Sequence, residues 1–359
     1  MLFDPYPKNN LNDLYDRRAE IERLQNGVKY PLTVIQGLRR TGKSSLVKSV
    51  LNDMIYIDIR KYSGKGYISY RDLIEEFNNA INRDLKDRLR DVFKNISGIN
   101  ILGNSISLSW KKNRVRLIDV LNAIDDYYNN NNKNIIITID EIQELIKLKG
   151  YNFLNDIAYS FDNFKSIKFV LTGSQIGALH NYLKMDDYNS PLYGRAYTLI
   201  DLKPFNREQS MDFLKKGFNE FNIDFNDAEN VYNTLGGIPG WLAYYGFRYV
   251  NNSKDPMNET IKNARNTIIM EFCNFIANRE MAFKRYYLIL NKCIERSSWS
   301  EIKNYIENNE GNIIPNSVLN KMLNNLIDYS FIKKYDEKYE LIDNMMRYAF
   351  KDRIKCGNM

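Results

Sequence analysis

The stretch that most constrains this chain runs from Leu32 to Leu46, Leu-Thr-Val-Ile-Gln-Gly-Leu-Arg-Arg-Thr-Gly-Lys-Ser-Ser-Leu. A short apolar run, Leu32 to Ile35, breaks at Gly37. Lys43 and Ser44 then open a helical pattern with Leu46, Val47, Val50 and Leu51 on one face. Strand, glycine-bounded loop and helix follow in that order, and Gly37 to Ser44 matches G-x-x-x-x-G-K-[ST]. Between the glycines the backbone must curl so that its N–H groups converge on phosphate oxygens, and a Cβ at Gly42 would crowd the turn. The helix start adds unpaired amides and a positive dipole end. This pattern assigns Gly37, Leu38, Arg39, Arg40, Thr41, Gly42, Lys43, Ser44 and Ser45 to nucleotide binding. Lys43 would reach the β- and γ-phosphates, and the Ser44 hydroxyl would complete a Mg²⁺ shell. A glycine turn that binds nothing is the plain alternative, and the strand and helix on either side argue against it.

A second motif lies near residue 140. The asparagine run Asn129 to Asn132 delivers the chain into Ile-Ile-Ile-Thr-Ile-Asp-Glu, residues 135 to 141. A continuous β-branched run of this kind is buried on both faces, as in the middle of a parallel sheet. It ends in two carboxylates. Asp140 is placed to hold Mg²⁺, and Glu141 to polarise the water that attacks the γ-phosphate. The adjacent acid favours ATP hydrolysis over nucleotide storage. No Asn-Lys-x-Asp or Thr-Lys-x-Asp guanine reader occurs, so ATP is preferred to GTP, and no acceptor pocket of a small-molecule kinase can be located.

The rest of the first two hundred residues alternates helix and strand. Helices are expected over 13–25, 44–52, 71–95, 115–128 and 153–164, with strands at Met54 to Ile59, Ile167 to Leu171 and Ala196 to Leu202. Ile99 to Trp110 reads as an inserted β-hairpin turning at Gly103-Asn104. The strand at 167–171 finishes at Thr172-Gly173-Ser174-Gln175. Ser174 can touch the γ-phosphate or the attacking water, or it can cap the next helix. A strand-helix-strand order of this kind predicts an α/β fold with a parallel sheet in a three-layer P-loop core.

At this point the residues resemble the archaeal ATPase family, a branch of the AAA+/STAND group of P-loop ATPases. The matching pieces are Arg17-Arg18-Ala19-Glu20-Ile21, Gly37 to Ser44, Ile139-Asp140-Glu141-Ile142-Gln143, Thr172-Gly173-Ser174, Leu192-Tyr193-Gly194-Arg195, Pro204-Phe205 and Gly236-Gly237-Ile238-Pro239. The resemblance implies that Arg17 lies near the adenine or ribose, with Arg18 the alternative, since Leu14-Tyr15-Asp16 stand where the family usually has Phe-Val-Gly. It implies that Arg195 is a finger or sensor arginine acting in cis or from a neighbouring subunit. It also implies that Pro239 packs against the adenine under a helical lid, although a proline at a helix start accounts for the same residues.

Residues 206 to 275 read as helical and form that lid, with helices at 207–221, 227–235, 239–250 and 258–277. The last eighty residues follow a helix, helix, helix, hairpin order. Ser300 is expected to cap the second helix, and Asn320, Lys321, Asn324 and Asn325 lie on the outer face of the third. That order is a winged helix-turn-helix. The expected domains are 1–203, a P-loop ATPase core; 204–278, the helical lid; and 279–359, the winged helix. Lys321, Lys333 and Lys334 suit phosphate contacts with DNA, but winged helices also bind proteins, and a net charge of +7 does not decide between them. A homo-oligomer is equally open.

No apolar run approaches the ~20 residues that span a bilayer. The start of the chain lacks a signal-peptide pattern. Cys273, Cys293 and Cys356 are odd in number and widely spaced, offering neither a disulfide framework nor metal-ligand spacing. The chain therefore reads as a cytoplasmic, Mg-dependent ATPase binding ATP or ADP and acting as a nucleotide-driven switch. The alternative is a regulatory or scaffold module that holds nucleotide with little turnover.

Overall fold

A computed structural model of the chain describes residues 1–84, 99–102, 105–108, 115–277 and 279–356. Helix α1 (Arg18–Gly27) leads into strand β1 (Leu32–Gln36), α2 (Lys43–Val50), β2 (Met54–Asp58), α3 (Tyr70–Asp84) and a hairpin of β3 (Ile99–Leu102) and β4 (Ser105–Leu108). Then come α4 (Leu117–Asn130), β5 (Ile135–Asp140), α5 (Phe153–Asn163), β6 (Ile167–Gly173), α6 (Ile176–Leu183) and β7 (Thr198–Asp201). Strands β2, β5, β6, β1 and β7 form one parallel sheet in that spatial order. The loop after β1 and the end of β5 are therefore separated by β6, whose own end lies between them.

Alternation along the strands builds the three layers. Leu32, Val34, Ile55, Ile57, Ile137, Ile139, Phe169 and Leu171 face α3, α4 and α5 in one core. Ile35, Val170 and Ile200 face Leu24, Leu46 and Val47 of α1 and α2 in another. Every residue of β6 is buried, as expected of a central parallel strand.

The lid consists of α7 (Arg207–Asn219), α8 (Ala228–Leu235), α9 (Pro239–Val250) and α10 (Pro256–Ile276). The remainder is α11 (Phe283–Lys292), β8 (Ser297–Ser298), α12 (Trp299–Glu310), α13 (Asn316–Asp328), β9 (Ile332–Tyr335), β10 (Lys338–Leu341) and α14 (Met346–Phe350), with β8, β10 and β9 in one antiparallel sheet. Lid and winged helix share an apolar core that runs from Leu2 and Phe3 to Ile354.

Three expectations differ from the structure. The first helix starts at Arg18, not residue 13, because Asp16 takes a left-handed φ of 46° and separates it from a short 3₁₀ turn at Leu11–Asp13. Ser298 rather than Ser300 caps α12, in a reciprocal box with Glu301. Cys273 and Cys356 are joined by a disulfide with Cα atoms 5.4 Å apart, while Cys293 is free and buried. A separation of 83 residues leaves no spacing signal for that bond; the return of the C-terminal tail to α10 creates it. Two expectations, the helix beyond residue 84 and the hairpin turn with Trp110, lie outside the described residues. Among those described, no helix is long and apolar enough to cross a membrane.

Candidate functional site

The loop between β1 and α2 is shaped by two glycines. A Cβ on Gly37 would stand 2.4 Å from the Leu202 carbonyl oxygen, and Gly42 adopts φ +100° at the cap of α2. Lys43 is buried, and its Nζ donates to the carbonyls of Gly37 and Leu38 at 2.9 Å each. Burial lowers the Lys43 pKa, opposed by the nearby Glu141 and Asp140 carboxylates.

Ser44 Oγ donates to Asp140 Oδ2 at 2.8 Å, across 96 residues of sequence. The same carboxylate takes hydrogen bonds from the Tyr56 and Thr172 hydroxyls. Glu141 follows in a left-handed conformation, φ 58°, and is buried. Its Oε2 accepts from Gln143 Nε2 at 2.5 Å, from Ser174 Oγ at 2.6 Å and from the Ser174 amide at 3.1 Å. Burial pushes the Glu141 pKa up, but Lys43, Ser174, Arg39 and Gln143 together hold it below the ordinary carboxylate value. Ser174 therefore does not cap α6, which starts behind Gln175 without a side-chain cap.

Of these groups Lys43, Ser44 and Glu141 line a cleft of about 800 Å³ between core, lid and winged helix, with Asp140 and Ser174 buried behind them. The Arg39–Ser45 stretch, Arg60 and Glu141 contribute from the core, Pro239, Trp241 and Tyr244 from α9, Glu271 and Phe275 from α10, and Tyr329 and Phe331 from the winged helix. Asp4 to Lys8 form part of the same wall, where the Lys8 amide donates to Ser45 Oγ at 3.1 Å. Arg17, not the exposed Arg18, faces the cleft. It is buried, bonded to the carbonyls of Lys203 at 2.8 Å and Thr41 at 3.3 Å, and stacked over Phe205. Pro239 is the first residue of α9, and the preceding Gly237 accepts from the Phe205 amide at 2.7 Å.

Arg195 stands apart. Its guanidinium pairs with Asp162 and the Pro191 carbonyl and does not line the cleft.

Several site residues carried no motif signal. Glu271 of the lid bridges two arginines of the phosphate loop, Arg39 at 2.8 Å and Arg40 at 3.0 Å, while the Arg40 guanidinium lies 4.2 Å from the Trp241 ring. Thr172 and Gln143 fell within stretches already singled out, yet their roles depend on which acid each side chain reaches. Among the described residues no cluster of three or more His, Cys, Asp or Glu could hold a metal ion. Ser44 and Asp140 are instead the short hard-oxygen pair that suits Mg²⁺ when phosphates and water complete its shell.

Comparison with known proteins agrees with this geometry. Residues 14–245 match a family model described as an ATPase domain predominantly from Archaea, and residues 280–342 match the MCM protein C-terminal winged helix-turn-helix domain. The Walker-type ATPase paby2304 of Pyrococcus abyssi is 31% identical, with a TM-score of 0.83 over 98% of this chain and 100% of that one. The Aeropyrum pernix ORC2 protein, solved as ADPNP-ADP complexes, shares the fold at 13% identity, with a TM-score of 0.56 over 97% of this chain and 95% of that one. The uncharacterized protein MJECL04 of Methanocaldococcus jannaschii is 28% identical over 230 residues, 62% of this chain and 47% of its own. The chain thus spans about half the length of that curated relative.

Proposed function

The chain belongs to the ATPase-domain family found predominantly in Archaea, and from that premise we propose that it is a Mg-dependent ATPase whose nucleotide cycle acts as a switch on its lid and winged helix. The observation that carries this reading is the 2.8 Å contact between Ser44 and Asp140, which joins the end of the phosphate loop to the end of β5.

Ser44 and Asp140 would hold the Mg²⁺, which neutralises phosphate charge when bound. Lys43 leaves the Gly37 and Leu38 carbonyls and donates instead to phosphate oxygens, a stronger charge-assisted bond. Glu141, ionised at neutral pH, orients the attacking water and accepts its proton. Pro239 and Trp241 close over the base and Arg17 supports that end. Tyr329 and Phe331 border the same cleft, so the winged helix feels nucleotide directly.

The competing reading is a nucleotide-holding scaffold. One observation favours it: a Glu141 oxygen that already accepts three hydrogen bonds is engaged rather than free. Phosphate release by the wild type, set beside Glu141→Gln, separates the two. Glu141→Gln should retain ATP and lose turnover by about 10²–10⁴, and a wild type that keeps ADP without hydrolysis would support the scaffold. Lys43→Ala should weaken ATP binding about ten- to a hundredfold. Unchanged affinity in calorimetry would sink the whole assignment.

The winged helix is the proposed partner-binding module. Asn320, Lys321 and Asn324 are exposed on α13, but Lys333 and Lys334 are paired with Glu340 and Glu337. Duplex DNA is accordingly expected to bind weakly, with an affinity that falls as salt rises. A salt-independent result in a titration would remove DNA and leave a protein partner.

A further inference from the structure

Parallel register places Asp58, the last residue of β2, opposite Asp140, the last of β5. Beyond Asp58 the chain enters a one-turn 3₁₀ helix, Ile59–Tyr62, capped by the Asp58 side chain, which accepts from the Arg60 amide at 2.9 Å. The same carboxylate grips the Arg60 guanidinium, taking Nε at 2.9 and 3.0 Å and Nη2 at 2.5 Å. Held in this fork, Arg60 Nη2 stands 3.7 Å from Asp140 Oδ2, the oxygen that Ser44 reaches. Arg60 lines the cleft with Lys43, Ser44 and Glu141. Its side chain remains 52% exposed, so Asp58 and Asp140 leave part of the cation available to a ligand. The neighbouring Lys61 turns away to Glu76. Arg195 is sequestered on Asp162. Among the described residues Arg17, Arg60 and Arg279 line the cleft from outside the phosphate loop, and of these Arg60 is the one paired with Asp140.

We propose that Arg60 is a catalytic residue acting in cis, a guanidinium pre-aimed by Asp58 that contacts the γ-phosphate of bound ATP and stabilises the charge that builds on its oxygens during transfer to water. This rests on the reading of the cleft as an ATP site. A planar fork donor suits three phosphate oxygens better than a point charge, and such a group is worth ~10³–10⁵ in rate where it operates. Its own bidentate hold on Asp58 supplies the orientation in advance, so little side-chain freedom is lost when phosphate binds.

The test is calorimetric titration of ADP and of the β,γ-imido analogue of ATP, both with Mg²⁺, into wild type, Arg60→Ala, Arg60→Lys and Lys61→Ala, followed by single-turnover hydrolysis at several protein concentrations. Arg60→Ala should lose about ten- to a hundredfold in affinity for the triphosphate analogue while ADP binding stays within about twofold. Arg60→Lys should lie between, and Lys61→Ala should match wild type. The hydrolysis rate of Arg60→Ala should fall by about 10³, recover in part with added guanidinium, and not depend on protein concentration. Equal binding of both nucleotides by Arg60→Ala and wild type, or an equal loss of both, overturns the proposal. If Arg60→Ala does not fold, Asp58→Asn loosens the fork and should show a smaller loss confined to the triphosphate; no such selectivity again overturns it. A wild type that binds neither nucleotide overturns the cleft's reading, and Arg60's role with it.

Discussion

Ser174 donates both its hydroxyl and its amide to one oxygen of Glu141, at 2.6 and 3.1 Å. The end of β6 thereby holds the acid at the end of β5. Two residues on, the Ile176 amide donates to Ser330 Oγ in the winged-helix half of the molecule at 3.1 Å. Asp328 beside it accepts from Asn181 of α6 at 2.8 Å. The candidate base and the winged helix are thus tied to the same short segment.

Since Glu141 is held below the ordinary carboxylate value, it stays charged through the neutral range, and the hydrolysis rate should show no acid limb from it above about pH 5. Any stability this depressed pKa confers is present above the unfolded value and is lost as pH falls through the folded one. Ser174→Ala removes one stabilising donor and should move the acid limb of the kcat profile upward. Superimposable pH–rate profiles for wild type and Ser174→Ala would refute the coupling.

Glu271 holds Arg39 and Arg40 from the lid, with side chains between one-seventh and one-third exposed. Glu271→Gln leaves two partly buried cations without their carboxylate and should lower stability by about 1–2 kcal/mol. Phosphate offers the arginines a replacement anion, so the deficit should shrink in saturating ATP. Thermal melts with and without nucleotide check this, and an equal deficit in both would argue that the arginines never turn to the ligand.

Asp156 lies on α5 away from the cleft, its pKa pushed up to about 6 by burial despite a hydrogen bond from Tyr151. In the folded state it binds a proton more tightly than in the unfolded chain, so its contribution favours folding at low pH and is lost as pH rises from about 4 to about 6. Asp156→Asn keeps an acceptor for Tyr151 without the buried charge. It should raise stability by about 1–3 kcal/mol at pH 8 and change little at pH 4. Melting curves at the two pH values decide it, with equal shifts at both counting against burial as the cause.

The Cys273–Cys356 disulfide encloses the whole winged helix. Denatured protein should show one free thiol, from Cys293, before reduction and three after it. Cys356→Ser should cost about 3–5 kcal/mol in unfolding titrations, by loop-closure entropy. Three free thiols in the unreduced protein would show that the bond does not form.

Much of the core was legible because its signals are local. The run Ile135 to Asp140 reads as a buried strand from its own β-branched residues, and Gly37 to Ser44 is set by its own spacing, although the close approach of the Leu202 carbonyl to Gly37 is a tertiary contact. The expected lid helices agree with the observed ones within about two residues because apolar spacing is carried by each helix itself, and the structure adds side-chain caps at Asn206 and Asp255. Ser174 was singled out, but its choice of Glu141 over a helix cap depends on the end of β6 lying beside β5. The family resemblance implies a finger or sensor role for Arg195, while the direction its guanidinium takes depends on Asp162, 33 residues upstream.

Sequence alone determined the phosphate loop, the acidic end of β5 and the α/β order, since each follows from backbone demands and periodicity within a few neighbouring residues. The tertiary structure decided what meets in the cleft. Ser44 against Asp140, Glu271 across Arg39 and Arg40, Arg60 aimed by Asp58 and Cys273 bound to Cys356 all join residues from separate elements. Side-chain contacts of that range depend on strand order, register and packing, which no local pattern in the chain specifies.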